Sequence, residues 1–99
     1  MFLTLWEFEV KSGCEELFEQ AYGPEGQWVD LFRRAAGYRG TRLSRELRRE
    51  RVYWTLDEWE TRAAYEAFLK NHAARYAEID RNCARLTLRE AHLFACEPD

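Results

Sequence analysis

The sequence predicts an α+β fold of the ferredoxin-like, split β-α-β-β-α-β type. Three observations predict it. The hydrophobic period alternates between about 2 and about 3.6 residues in the order strand, helix, two strands, helix, strand. The 99 residues leave room for a single core, and hence for one domain over 1–99. Finally, the first strand is apolar on both faces, more than one layer of helices over a four-stranded sheet can bury. That last feature predicts a homodimer formed through the sheets.

Strand one is expected over Phe2 to Val10, with Phe2, Thr4, Trp6, Phe8 and Val10 on one face and Leu3, Leu5, Glu7 and Glu9 on the other. Ser12-Gly13-Cys14-Glu15 matches a capping box, in which hydroxyl and carboxylate satisfy orphan amides reciprocally. The helix it opens places Leu17, Phe18, Ala21 and Tyr22 on one side, and Gly23-Pro24-Glu25-Gly26 ends it. A short helix carrying Trp28, Leu31, Phe32 and Ala35 at i, i+3, i+4 and i+7 follows. Strand two is expected from Tyr38 to Leu47, a turn at Arg48-Arg49-Glu50, and strand three from Arg51 to Asp57. Asp57-Glu58-Trp59-Glu60-Thr61 is expected to open the long second helix, its acids suiting the positive helix end. The apolar stripe of that helix is Tyr65, Phe68, Leu69, His72, Tyr76, Ile79 and Cys83, with a break near Asn71-His72. Leu86 to Cys96 completes the sheet.

Composition narrows the function classes. An apolar fraction of 46% with 15% aromatic residues suits a packed core, not a disordered chain. No apolar run approaches a membrane span, and the start reads as a strand where a signal peptide would carry a basic n-region. Cys14, Cys83 and Cys96 are odd in number and widely spaced, which disfavours a disulfide framework and a zinc site and suggests a reducing cytoplasm. Eight arginines lie between Arg33 and Arg51, answered only by Glu46 and Glu50. Nucleic acid is not expected as a partner, because the net charge is −3 and no recognition motif accompanies them. Arginines flanking a hairpin instead solvate an edge and deter aggregation.

Strand one ending before Ser12-Gly13, then Tyr22-Gly23, Trp28-Val29-Asp30-Leu31-Phe32-Arg33, Gly37-Tyr38-Arg39-Gly40-Thr41 and Tyr53-Trp54-Thr55-Leu56-Asp57-Glu58-Trp59, resembles the antibiotic biosynthesis monooxygenase-like domain over nearly the whole chain. The resemblance implies a dimeric α/β barrel, two sheets facing each other with helices outside. Activities among the proteins it resembles include cofactor-independent oxygenation of polyketide aromatics, quinol oxygenation and haem degradation, and likeness of fold alone does not choose among them. Haem-degrading members use an Asn on the first strand with a Trp and a haem-ligating His on the second helix. Aligned through Gly13 and Trp59, those positions hold Trp6, Phe68 and Glu78 here, so haem degradation by that constellation is not expected.

The expected activity is oxygenation of a small phenolic or quinol compound without metal or other cofactor. His72, on the apolar stripe, reads either as the general base or as a hydrogen-bonded core residue. Tyr76 is the candidate orienting hydroxyl. Trp6, Trp28, Phe32 and Phe68 are the candidate walls of an apolar pocket between sheet and helices, and equally of a plain aromatic core. The competing function is a non-catalytic dimer that binds a hydrophobic metabolite. No dinucleotide or phosphate-binding glycine motif is present.

Overall fold

The computed structural model describes residues 1–98. Strand β1 (Phe2–Val10) is followed by helices α1 (Glu15–Tyr22) and α2 (Gln27–Phe32), strands β2 (Tyr38–Arg45) and β3 (Val52–Trp59), helices α3 (Arg62–Asn71) and α4 (Ala73–Cys83), and strand β4 (Thr87–Cys96). A 3-10 turn, Ala84–Leu86, leads into β4. The sheet order is β2-β3-β1-β4, with every pair antiparallel. This is the predicted ferredoxin-like α+β arrangement.

The alternation in β1 places Phe2, Thr4, Phe8 and Val10 under the helices, all of them buried, with Trp6 beside them. Register then fixes which side chains meet. Thr4 sits opposite Asp57, Trp6 opposite Thr55 and Phe8 opposite Tyr53 on one side. On the other side Trp6 faces His92 and Phe8 faces Glu90, after a bulge between Leu5 and Trp6. The core over this face is strongly aromatic. Trp59 and Phe68 lie 5.1 Å apart by ring centroid, and Phe32 meets Phe68 edge-on at 5.2 Å.

Four local expectations are corrected. Ser12 does not cap α1: Gly13 takes φ +86° and the Cys14 N–H closes a turn on the Lys11 carbonyl, so the helix begins at Glu15 without a side-chain cap. Strand two ends at Arg45: the Glu46 N–H makes the last bond across the hairpin, to the Val52 carbonyl, and the Glu46 carboxylate then gathers the Arg48 and Arg49 amides into the turn. Strand three runs on through Asp57 to Trp59, and Thr61 is the true helix cap, its Oγ1 accepting from the Ala64 N–H at 3.0 Å. The sequence 57–61 therefore does not open a helix; its first three residues continue the strand alternation. The last strand starts at Thr87, because the backbone over Ala84–Leu86 is still helical.

The long helical stripe divides at His72, whose φ of −121° lies outside the helical range, in agreement with the expected break. No helix among the described residues is long and apolar enough to cross a membrane.

Candidate functional site

A cavity of about 250 Å³ lies between the sheet and the helices. Its floor comes from the strands: Trp6 and Phe8 of β1, Thr55 and Asp57 of β3, Thr41 of β2. Its walls are Tyr22, Trp28, Phe32 and Tyr76, with Asp80 and Glu90 completing the lining. The helices place these rings by spacing alone. Trp28 and Phe32 are one turn apart on α2, and Tyr76 and Asp80 one turn apart on α4. Trp28 meets Tyr76 edge-on, with centroids 4.8 Å apart.

Of the residues singled out from sequence, Trp6, Trp28, Phe32 and Tyr76 share this cavity. Phe68 does not line it. It is 1% exposed and packed among Phe32, Trp59 and Tyr76, one layer behind the wall. Nor does His72 line it: at the break between α3 and α4, half-buried, its ring stacks on Phe68 at 5.4 Å. The imidazole therefore faces core and surface, not the cavity.

The residue that sequence reasoning missed is Asp57. It is 8% exposed and reaches the cavity floor from the centre of the sheet. Thr41 Oγ1 donates to its Oδ1 at 2.7 Å, and Thr4 Oγ1 lies 3.5 Å from its Oδ2. The Thr41 hydroxyl has only one proton to give, so when Asp57 is ionised the Tyr38 hydroxyl, 2.7 Å away, donates to Thr41. A run of hydroxyls thus leads from the buried carboxylate to a half-buried phenol. Burial pushes the Asp57 pKa up to about 6, and the bonds from Thr41 and then Thr4 only partly oppose this. Asp57 has hydroxyl partners but no ion pair among the described residues. A carboxylate titrating near neutral pH inside an apolar cavity is suited to exchanging a proton with a bound molecule.

The hydroxyls around it stay protonated. Burial raises the pKa of Tyr76 well above that of an ordinary phenol, helped by nearby Tyr65 and Asp80, and burial does the same for Tyr22, seconded by Cys83. Each is a fixed neutral O–H. Glu90 is also raised, first by burial and then by the charge of Asp80. The signal that could have found Asp57 was the alternation Tyr53, Thr55, Asp57, Trp59. Read as strand throughout, it puts the carboxylate on the helix-facing side.

Among the described residues, no cluster of His, Cys, Asp or Glu side chains is arranged to hold a metal ion. The hairpin arginines find acids: Arg45 pairs with Glu19, Arg49 with Glu7 and Glu46, and Arg51 with Glu50.

Residues 1–78 match the antibiotic biosynthesis monooxygenase family. No curated protein matches the chain. Several solved structures share its fold. SnoaB, a cofactor-independent oxygenase from Streptomyces nogalater, is 18% identical, with 98% of this chain and 91% of that one covered and a TM-score of 0.79. A mutant of MhuD with two manganese protoporphyrin IX molecules bound in its active site is also 18% identical, covering 99% and 94% of the two chains at a TM-score of 0.74. An uncharacterized NIPSNAP domain protein from Burkholderia xenovorans is 13% identical, with 100% and 95% covered and a TM-score of 0.73. At these identities the likeness is one of fold.

Proposed function

The chain belongs to the antibiotic biosynthesis monooxygenase family, and from that premise we propose that it oxygenates a small phenolic or quinol compound in the cavity above Asp57, without metal or flavin. The observation that carries this reading is the buried Asp57 carboxylate on the floor of an aromatic-walled cavity. A cavity of about 150 Å³ already holds benzene, so the volume of about 250 Å³ suits one or two rings. Trp6, Trp28 and Phe32 stack or abut the substrate ring, and the Tyr76 hydroxyl orients its oxygen. Asp57 replaces His72 as the base in this scheme, because Asp57 borders the cavity and His72 does not.

The chemistry balances without an external reductant. Asp57 takes the phenolic proton, and the phenolate gives one electron to O2. The resulting radical pair closes a carbon–oxygen bond to form a hydroperoxide. The ring carbon then loses its hydrogen as the O–O bond breaks, leaving a quinone and one water. The substrate supplies all four electrons that reduce O2 and one oxygen atom enters it; Asp57 returns the phenolic proton to the peroxide, then relays the ring proton to the departing hydroxide to give water. A phenol with a pKa of about 10 opposite a carboxylate at about 6 makes the first transfer uphill by about 5 kcal/mol. A hydrogen bond from Tyr76 to the phenolate lowers that gap, as preorganised donors do.

Oxygen uptake with anthrone-type and quinol substrates tests the proposal. Asp57→Asn is expected to lower turnover by about 10²–10⁴-fold, the usual worth of a positioned base. His72→Ala should retain most of it. Full activity in Asp57→Asn, or no uptake across the panel, refutes oxygenation through Asp57. Tight binding with the compound recovered unchanged would instead make this a sequestering protein.

We further propose a homodimer through the open face of the sheet. Leu3, Leu5, Trp54, Leu56 and Phe94 stand on that side, none covered by a helix, and Phe94 is 44% exposed. Among them Glu7 is buried beneath Arg49, Arg89 and the Trp54 indole. A second copy of the same face would cover these apolar residues in a self-complementary way.

A further inference from the structure

The charges around the cavity are of one sign. Asp57, Asp80 and Glu90 line it, and among the described residues no lysine, arginine or histidine does. Basic groups lie close by but outside the lining. His92 stacks on the Trp6 ring at 4.6 Å, the guanidinium of Arg33 is bonded to the Pro24 carbonyl, and Arg81 and Arg89 share a neighbouring cleft with Asp80 and Glu90, Arg89 being paired with Glu7 and Glu9. Asp57 is more than nine-tenths buried and accepts hydrogen bonds only from hydroxyls, so its negative charge has no counter-ion among the described residues. Asp80 and Glu90 are exposed and form no ion pair there either. The rest of the wall is aromatic: Trp6, Trp28, Phe32 and Tyr76 present π-faces or edges to the same space.

We propose that the cavity selects a positively charged aromatic ligand, a phenol carrying a protonated amine on a short side chain, over neutral and anionic phenols. The inference deepens the proposed function, on which its phenolic part rests. Aromatic faces attract a cation through their quadrupoles, and carboxylates without partners add to that attraction. The depth of the acids assigns the two ends of the ligand. The ring and its hydroxyl reach the buried Asp57, while the ammonium remains at the exposed Asp80 and Glu90, where it keeps part of its hydration. The three acids are not arranged to share a metal ion, which leaves an organic cation with spread-out contacts as the fitting partner. Repulsion between Asp80 and Glu90 already raises the Glu90 pKa behind the effect of burial, and a cation between them relieves it. An anionic ligand, by contrast, would meet only like charge. The cation also assists the proton transfer proposed above: loss of the phenolic proton leaves a zwitterion, not an anion in a negative cavity.

Three probes of similar size test this: tyramine, 4-ethylphenol and 4-hydroxyphenylacetate, titrated against the full chain by calorimetry at low salt. Tyramine is expected to bind about tenfold tighter than 4-ethylphenol, the scale of a cation–π contact with partly exposed carboxylates, and 4-hydroxyphenylacetate weakest. Asp80→Asn and Glu90→Gln, both at exposed positions, should each narrow the gap between tyramine and 4-ethylphenol. Equal or tighter binding of 4-ethylphenol, or no saturable binding of tyramine, overturns the inference, as does an unchanged gap in both variants. Failure of the oxygenase reading is seen separately. Tyramine that binds selectively but supports no oxygen uptake, in a protein inactive on quinols as well, would remove the oxygenase and leave the cation site. A neutral phenol that binds best and is oxygenated would do the reverse.

Discussion

Asp57 should destabilise the fold when it ionises, and Asp57→Asn isolates that cost. The carboxyl is buried at the centre of the sheet, and burial pushes its pKa up from the ordinary 3.8 to about 6. The folded state therefore holds this proton more tightly than the unfolded chain. Between pH 4 and pH 6 the native state binds more protons, so the contribution of Asp57 to stability falls as pH rises. The full cost is reached above the folded pKa, and two pH units correspond to about 3 kcal/mol. Asparagine keeps the acceptor that Thr41 needs and never ionises. The stability of the wild type minus that of Asp57→Asn should thus drop by up to about 3 kcal/mol from pH 4 to pH 8. Urea unfolding of both proteins at closely spaced pH values measures it, and taking the difference removes every other titrating group they share. A difference that stays flat with pH, or rises, would refute the view of Asp57 as a buried carboxylate without a counter-ion.

Glu7 predicts the opposite sign. Hydrogen bonds from Arg49, Trp54 and Arg89, in that order, lower its pKa to about 2, so its contribution is present above the unfolded value of 4.5 and lost as pH falls toward 2. Glu7→Gln should cost about 1–3 kcal/mol near neutral pH by denaturant unfolding, since two guanidiniums lose their anion; a neutral outcome would show that the cluster contributes nothing. Phe68→Ala, in the layer behind the cavity, should cost about 3–5 kcal/mol. A loss below about 1 kcal/mol would mean that the cavity extends to Phe68 after all. Leu5→Glu on the open sheet face should yield a monomer by sedimentation where the parent is a dimer, and a parent that is itself monomeric at micromolar concentration would remove the dimer proposal.

What the sequence made legible follows from how densely each segment repeats its pattern. The nine residues of β1 alternate in sequence, and the two faces read from them agree with the strand pairing, although burial departs from the alternation at Trp6 and Glu7. The break at His72 showed as an interruption in a long stripe. The cavity lining was legible only where aromatic residues dominate, at Trp6, Trp28, Phe32 and Tyr76. Asp57 was hidden by a competing rule: acids before a helix favour its positive end, and Asp57-Glu58 sits four to three residues before the actual cap, Thr61. Strand pairing decides against that rule, because β3 is held between β1 and β2 through its whole length and Trp59 still pairs with both Phe2 and Tyr38. His72 misled for the converse reason. Its spacing fits the apolar stripe, but the helix breaks at that residue, and its ring packs on Phe68, behind the cavity wall.

The cavity itself has a cause in side-chain size. On the helix-facing side of the sheet, Thr4, Thr41, Thr55 and Asp57 form a patch of small polar residues across three adjacent strands. Large rings border that patch, with Trp59 and Phe2 toward one end and Phe8 and Tyr53 toward the other. Helices resting on the tall rings cannot descend onto the short side chains, so a space remains above them. Leucine or phenylalanine at these positions would fill it and add burial, and threonine forgoes that gain. The same small residues also supply the hydroxyls that make Asp57 tolerable at this depth, since a buried carboxylate with no donors would cost several kcal/mol more. Room for a ligand and solvation for the carboxylate are therefore one feature. The strand alternation that turns Thr4 and Asp57 inward turns Leu3, Leu5 and Leu56 outward, so the site and the open apolar face arise from the same two strands.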